Sequence, residues 1–96
     1  MRIALKPHLK IRLKERKIPQ NYPRKILSKP DAKYFDTLRN RPIATRSLKY
    51  EAKIRPMVIA YDIIGEEFQI LTVYPTNEQE INNRLRSGRW VKYEET

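Results

Sequence analysis

Along the chain, apolar residues recur first at helical spacing and then at strand spacing, with the change near residue 31. In "PHLKIRLKER" (7–16), Leu9 and Leu13 lie four apart, and Pro7 suits a first helical turn, where its missing N–H costs nothing. The spacing predicts a helix from Pro7 to about Lys17. It should stop before Ile18-Pro19, because the residue preceding a proline is pushed out of helical geometry. A second short helix is predicted from Tyr22 to Ser28, with Pro23 in its first turn, Pro30 beyond its end, and Ile26 and Leu27 facing a core.

Beyond residue 31, "AKYFDTL" (32–38) reads as a short strand followed by the basic loop "RNRP" (39–42). In "IATRSLKYEAKI" (43–54), Arg46, Leu48, Tyr50, Ala52 and Ile54 share one face, and Thr45, Ser47, Lys49 and Glu51 the other. "RPMVIAYDII" (55–64) holds the unbroken apolar run of a strand covered on both faces. Gly65 permits a tight turn in "GEE" (65–67), and "FQILTVYP" (68–75) returns as the next strand, with Thr72 and Tyr74 on the face of Phe68 and Ile70. "TNEQEINNRLRSG" (76–88) predicts a helix with Thr76 as cap, Gln79 completing a capping box, Gly88 as stop, and Ile81 and Leu85 as a thin apolar seam. "RWVKYEET" (89–96) is either a last strand or an ordered tail. The expected fold is α+β: two N-terminal helices packed on a four-stranded antiparallel sheet, with a C-terminal helix and short tail. The opposite face of the sheet carries the C-terminal helix, lies open to solvent, or binds a partner.

Length and composition narrow the picture. Ninety-six residues make one unit, with 1–75 as its main α+β body and 76–96 as a helix and tail of the same compact unit. A chain of this size buries roughly two-thirds of its unfolded surface. The absence of cysteine excludes disulfide frameworks and thiolate metal sites; a single histidine argues against a zinc centre, and no cofactor is expected. No apolar run of about 18 residues occurs, and none follows the charged N-terminus, so neither a membrane span nor a secretory leader is expected and a cytoplasmic location is. Charge is the stronger signal. Lys and Arg number 21 against 11 acids, a net +10. Such a field favours polyanionic partners, RNA foremost, although an acidic protein would meet it too.

Candidate chemistry begins with His8, Arg12 and Arg16, which fall along one side of the first helix, beside its leucines rather than opposite them. Histidine titrates near neutrality, and flanking arginines can hold a phosphate against it. Metal-free RNA cleavage needs a base for the 2′-hydroxyl, an acid for the leaving oxygen and cations for the phosphorane. The plainer alternative is a surface histidine with arginines ion-paired on a solvated face. On the sheet, Arg46 starts on the apolar face; near a strand end it either reaches solvent or, staying inward, needs an anion. Thr72 and Tyr74 place two hydroxyls at a strand end, able to bond a phosphate or donate to a leaving group, although such residues also simply suit strands. Arg39, Arg41, Arg55 and Arg89 are further candidate phosphate contacts. Trp90, with Tyr93 nearby, offers a stacking platform for unpaired bases, or covers the core as a late tryptophan more commonly does.

The order H-x3-R-x3-R in an N-terminal helix, then "IP", a second helix ending in "KPDA", "SLKYEAKIRPMVIAYDI" and "FQILTVYP", resembles a family of small proteins akin to the RelE/ParE/BrnT-type toxins. These are grouped with microbial RNases and tRNA-cutting colicins. The resemblance covers about residues 5–75. It implies a helix-then-antiparallel-sheet fold and an RNase-like site between the N-terminal helix and the sheet. His8, Arg12, Arg16, Thr72 and Tyr74 stand at the matching positions. It also implies an antitoxin-like acidic protein as partner.

Three readings follow. In the first, a metal-independent endoribonuclease uses His8 as general acid or base, with Arg12, Arg16 and Arg46 stabilising the phosphate and Tyr74 as a second proton donor. In the second, the same cations form a nucleic-acid-binding module without chemistry. In the third, the basic surface docks an acidic protein.

Overall fold

The computed structural model describes residues 2–93. Its elements are β1 (Arg2–Leu5), α1 (Pro7–Glu15), α2 (Tyr22–Ser28), β2 (Ala32–Asp36), β3 (Arg41–Tyr50), β4 (Lys53–Ile64), β5 (Glu67–Pro75), α3 (Glu78–Arg86) and β6 (Trp90–Lys92). The strands form one mixed sheet in the order β1-β5-β4-β3-β2-β6. β1 runs parallel to β5, and every other pairing is antiparallel.

This corrects the expected four-stranded antiparallel sheet. The central β2–β5 meander is present, but a strand is added at each edge, and one of them is parallel. Neither added strand carries a readable period. "RIAL" is only four residues long and "WVK" three, too short for alternation to register. Both owe their conformation to hydrogen bonding on a neighbour, β1 along Glu67–Ile70 and β6 along Tyr34–Asp36. Residues 94–96 of the predicted tail lie outside the described residues.

The sheet is covered on both sides. On one, Leu9 and Leu13 of α1, with Ile26 and Leu27 of α2, pack on Ala44, Met57, Ile59, Tyr61, Ile70 and Val73. On the other, Ile81 of α3 and Trp90 pack with Tyr34, Ile43, Val58 and Ala60. Of the three prospects for the second face, it carries the C-terminal helix. The run Met57–Tyr61 is buried throughout, since successive side chains enter the two cores in turn.

Two local departures matter for the site. The hairpin between β3 and β4 turns at Glu51-Ala52, so Lys53 and Ile54 belong to β4 and do not continue the preceding strand. Both turn residues have positive φ, as a two-residue type I′ loop requires. In β5, Ala60 pairs with Thr72 but Tyr61 with Ile70, leaving Leu71 as an extra residue. This bulge reverses the predicted facing. Ile70 and Phe68 join the α1–α2 core, whereas Tyr74 packs against the α3 core.

Candidate functional site

Above the α3-side core lies a recess of about 430 Å³ whose rim is crowded with guanidinium groups. Arg12, Arg39, Arg41, Arg84 and Arg89 line it, together with Asp36, Thr72, Tyr74 and Trp90, over a floor that includes Ile43 and Ala60. Each arginine arrives by a different route. Arg41 opens β3 and lies 3.8 Å from Asp62. Arg39 sits in the turn between β2 and β3, where Asn40 takes positive φ. Arg84 projects from α3, and its guanidinium stands 5.2 Å from the centre of the Trp90 ring. Arg12 comes from α1, on the other side of the sheet. Because β1 pairs only as far as Ile70, β5 is the sheet edge from Leu71 onward, and there an arginine can reach around it.

Asp36 holds this rim together. Its Oδ1 accepts the backbone N–H groups of Leu38 (3.0 Å) and Arg39 (3.1 Å), bending the chain just after β2, and lies 3.5 Å from Nε of Arg89. Burial pushes its carboxyl upward, but the N–H donors of Arg39 and Leu38 and the charge of Arg89 outweigh that and hold it below the usual carboxylate range. Thr37 ties the same turn to β6, its N–H bonding the carbonyl of Arg89 at 2.9 Å and its hydroxyl that of Gly88 at 2.9 Å. Tyr74 is shifted upward, chiefly by burial; Arg84, Arg89 and Arg39 oppose that shift and Asp36 adds to it. Its hydroxyl therefore keeps its proton at neutral pH and is available as a donor.

Of the residues singled out from sequence, Arg12, Arg39, Arg41, Thr72, Tyr74, Arg89 and Trp90 come together here. The others do not line the recess. His8 lies exposed in the first turn of α1, and Arg16 is the exposed C-cap of that helix, its carbonyl accepting the hydroxyl of Tyr50 at 2.7 Å. Arg46 does face inward, on the α1–α2 side, but its partner there is a neutral helix-end carbonyl rather than an anion: Nη1 donates to the carbonyl of Lys25 at 3.0 Å. Arg55 donates Nε–H to the carbonyl of Tyr50 at 3.1 Å and braces the β3–β4 turn.

Trp90 is not a stacking platform. It is 2% exposed, stacked on Tyr34 at 5.3 Å between centroids, and flanked by the Arg84 guanidinium. Tyr93 instead packs on Phe35. Arg84 and Asp36 are the functional candidates that sequence reasoning missed. Arg84 follows Ile81 by three residues, the same helical proximity to an apolar seam that drew attention to Arg12. Asp36 shares strand parity with buried Tyr34 and precedes a turn, the pattern of an inward carboxylate serving backbone N–H groups.

The recess lies on the α3-side face rather than between the N-terminal helix and the sheet, with Arg12 as the contribution from α1. The arrangement has three physical features. It concentrates positive charge, presents rigid planar donors suited to oxyanions, and holds a neutral phenol among them. No helix among the described residues is long and apolar enough to cross a membrane. No family model, curated protein or solved structure matches the chain.

Proposed function

We propose that this protein binds nucleic acid, RNA foremost, by seating backbone phosphate in the arginine-lined recess. The observation that carries this reading is the convergence of five arginines from α1, the β2–β3 turn, β3, α3 and the segment preceding β6 on one recess. In a chain of net charge +10, long-range attraction brings the polyanion in, and the converging guanidinium forks give it a place to dock. With Trp90 buried against Tyr34 and Arg84, the reading rests on phosphate contacts rather than on stacking at that tryptophan.

A second reading, metal-independent cleavage at the same place, is favoured by one further observation. The protonated hydroxyl of Tyr74 lies among the arginines, where it would donate to a leaving oxygen while they stabilise the phosphorane. In that reading Tyr74, rather than His8, is the acid.

Binding of a fluorescent single-stranded RNA, followed by polarisation, tests the first reading. Arg39→Gln combined with Arg84→Gln should weaken binding by about tenfold or more, as loss of two charge-assisted contacts implies. His8→Ala and Arg55→Gln should leave it within about twofold. Equal weakening by all of these variants would reduce the interaction to diffuse surface charge and remove the recess from it. Incubation of the same RNA with EDTA, beside Tyr74→Phe, tests cleavage. Cyclic 2′,3′-phosphate products lost in Tyr74→Phe but retained in His8→Ala would assign the acid to Tyr74.

A further inference from the structure

The charge inventory of the recess is out of proportion to an internal phosphodiester. Such a phosphate carries one negative charge and two free oxygens. Of the five arginines, Arg41 and Arg89 already stand near carboxylates, those of Asp62 and Asp36. Arg12, Arg39 and Arg84 have no carboxylate within ion-pair distance among the described residues. Three unneutralised guanidinium groups therefore border a recess that would receive a single charge from a strand passing through it. A phosphate monoester at neutral pH carries between one and a half and two negative charges and three free oxygens. It matches three planar, fork-shaped donors far better.

The remaining lining points the same way. Trp90 borders the recess with its Nε1–H out of solvent and without an acceptor among the described residues, so the indole contributes shape rather than a free donor. The indole itself offers no open surface on which to lay a base, since it is 2% exposed, stacked on Tyr34 and flanked by the Arg84 guanidinium. What the recess offers a ligand is charge and hydrogen-bond donors concentrated at one spot.

We infer that the recess takes a terminal phosphate monoester, the phosphorylated end of a nucleic-acid chain, rather than an internal diester. This rests on the proposed nucleic-acid-binding reading and narrows it to a class of ligand. Arg12, Arg39 and Arg84 clamp the three terminal oxygens, and the chain leaves toward solvent.

Trp90 is the sole tryptophan, so its emission reports occupancy of the recess directly. Titrations would use one octanucleotide RNA carrying a 5′-hydroxyl, a 5′-phosphate or a 3′-phosphate, with a nucleoside 5′-monophosphate as the free small-molecule source of the same group. At least one phosphate-ended RNA should perturb Trp90 and bind about tenfold tighter than the hydroxyl-ended RNA, the gain expected of added charge-assisted hydrogen bonds. In a variant carrying Arg12→Gln and Arg39→Gln, both exposed positions, that preference should shrink to within about twofold. If the mononucleotide alone binds as tightly as the phosphate-ended RNA, the ligand is a free nucleotide and the chain-end assignment fails. If all three RNAs bind equally and all depend on Arg12 and Arg39, the terminal-phosphate inference is overturned and the nucleic-acid reading survives. If no RNA depends on those arginines, both fall.

Discussion

Asp36 shows how much of the recess hangs on one side chain. A single oxygen accepts two backbone N–H groups and approaches Arg89, so the carboxylate shapes the turn that carries Arg39 and also anchors a second rim arginine. Replacement by asparagine keeps the size but removes the charge. It should cost about 1.5–3 kcal/mol in denaturant unfolding, the range for hydrogen bonds to a charged group. Because the folded-state pKa lies below the ordinary value of 3.8, the contribution of Asp36 is present above that value and is lost as pH falls through the lower folded value. Unfolding curves collected on descending pH should therefore show a shallower acid limit in Asp36→Asn than in the parent. An identical acid limit in both proteins would mean that the Asp36 interactions contribute nothing to stability. Arg46 makes the contrasting case. Its inward start was legible from strand parity, but the acceptor it meets is a carbonyl at the end of α2, which no reading of strand parity reveals.

At the scale of elements, the ends of the helices follow punctuation written in backbone chemistry. α1 begins at Pro7 as predicted and ends in a Schellman arrangement, with Ile18 N–H bonded to the carbonyl of Leu13 at 2.8 Å and Lys17 at positive φ before Pro19. α2 spans Tyr22–Ser28, the predicted range. α3 was shifted by one residue at its start: Asn77, not Thr76, is the cap, its side chain accepting the N–H of Glu80 at 2.8 Å. Asn77→Ala should cost about 1 kcal/mol in thermal or denaturant unfolding, and Thr76→Ala clearly less. The β3–β4 turn stores strain, since neither Glu51 nor Ala52 is glycine or asparagine and both hold positive φ. Ala52→Gly should raise stability by about 1 kcal/mol, a gain measurable as an increase in the denaturation midpoint. A loss of stability on that change would show that the turn is relaxed with its present residues.

For the molecule as a whole, the two-sided sheet separates two cores, only one of which borders the recess. α1 and α2 build one core, and α3 with β6 builds the other, over which the recess opens. The basic character is global, with the five arginines adding a local focus. The two contributions differ in salt dependence. Against single-stranded RNA, the slope of log affinity on log salt should be about −0.7 for each phosphate neutralised. Removing Arg39 should reduce it by about that amount, as removal of one phosphate contact requires. Equilibrium titrations across a salt series check this, and an unchanged slope in Arg39→Gln would take that residue out of the contact.

Helix positions, the β2–β5 meander, the doubly buried central strand and the positive field all follow from sequence, because each depends on neighbours a few residues away or on composition alone. The edge strands do not, since segments of three and four residues take their conformation from a partner strand. The facing of Thr72 and Tyr74 does not either. It turns on the one extra residue at Leu71, and a shift of one residue moves every later side chain to the opposite face. For the same reason, the His8–Arg12–Arg16 ridge is a single feature in sequence, yet only its middle member borders the recess. Where the basic residues converge was decided by tertiary structure alone. Arg12, Arg39, Arg41, Arg84 and Arg89 are spread over more than seventy residues and are brought to one recess only by strand register and by the packing of α3 on the sheet.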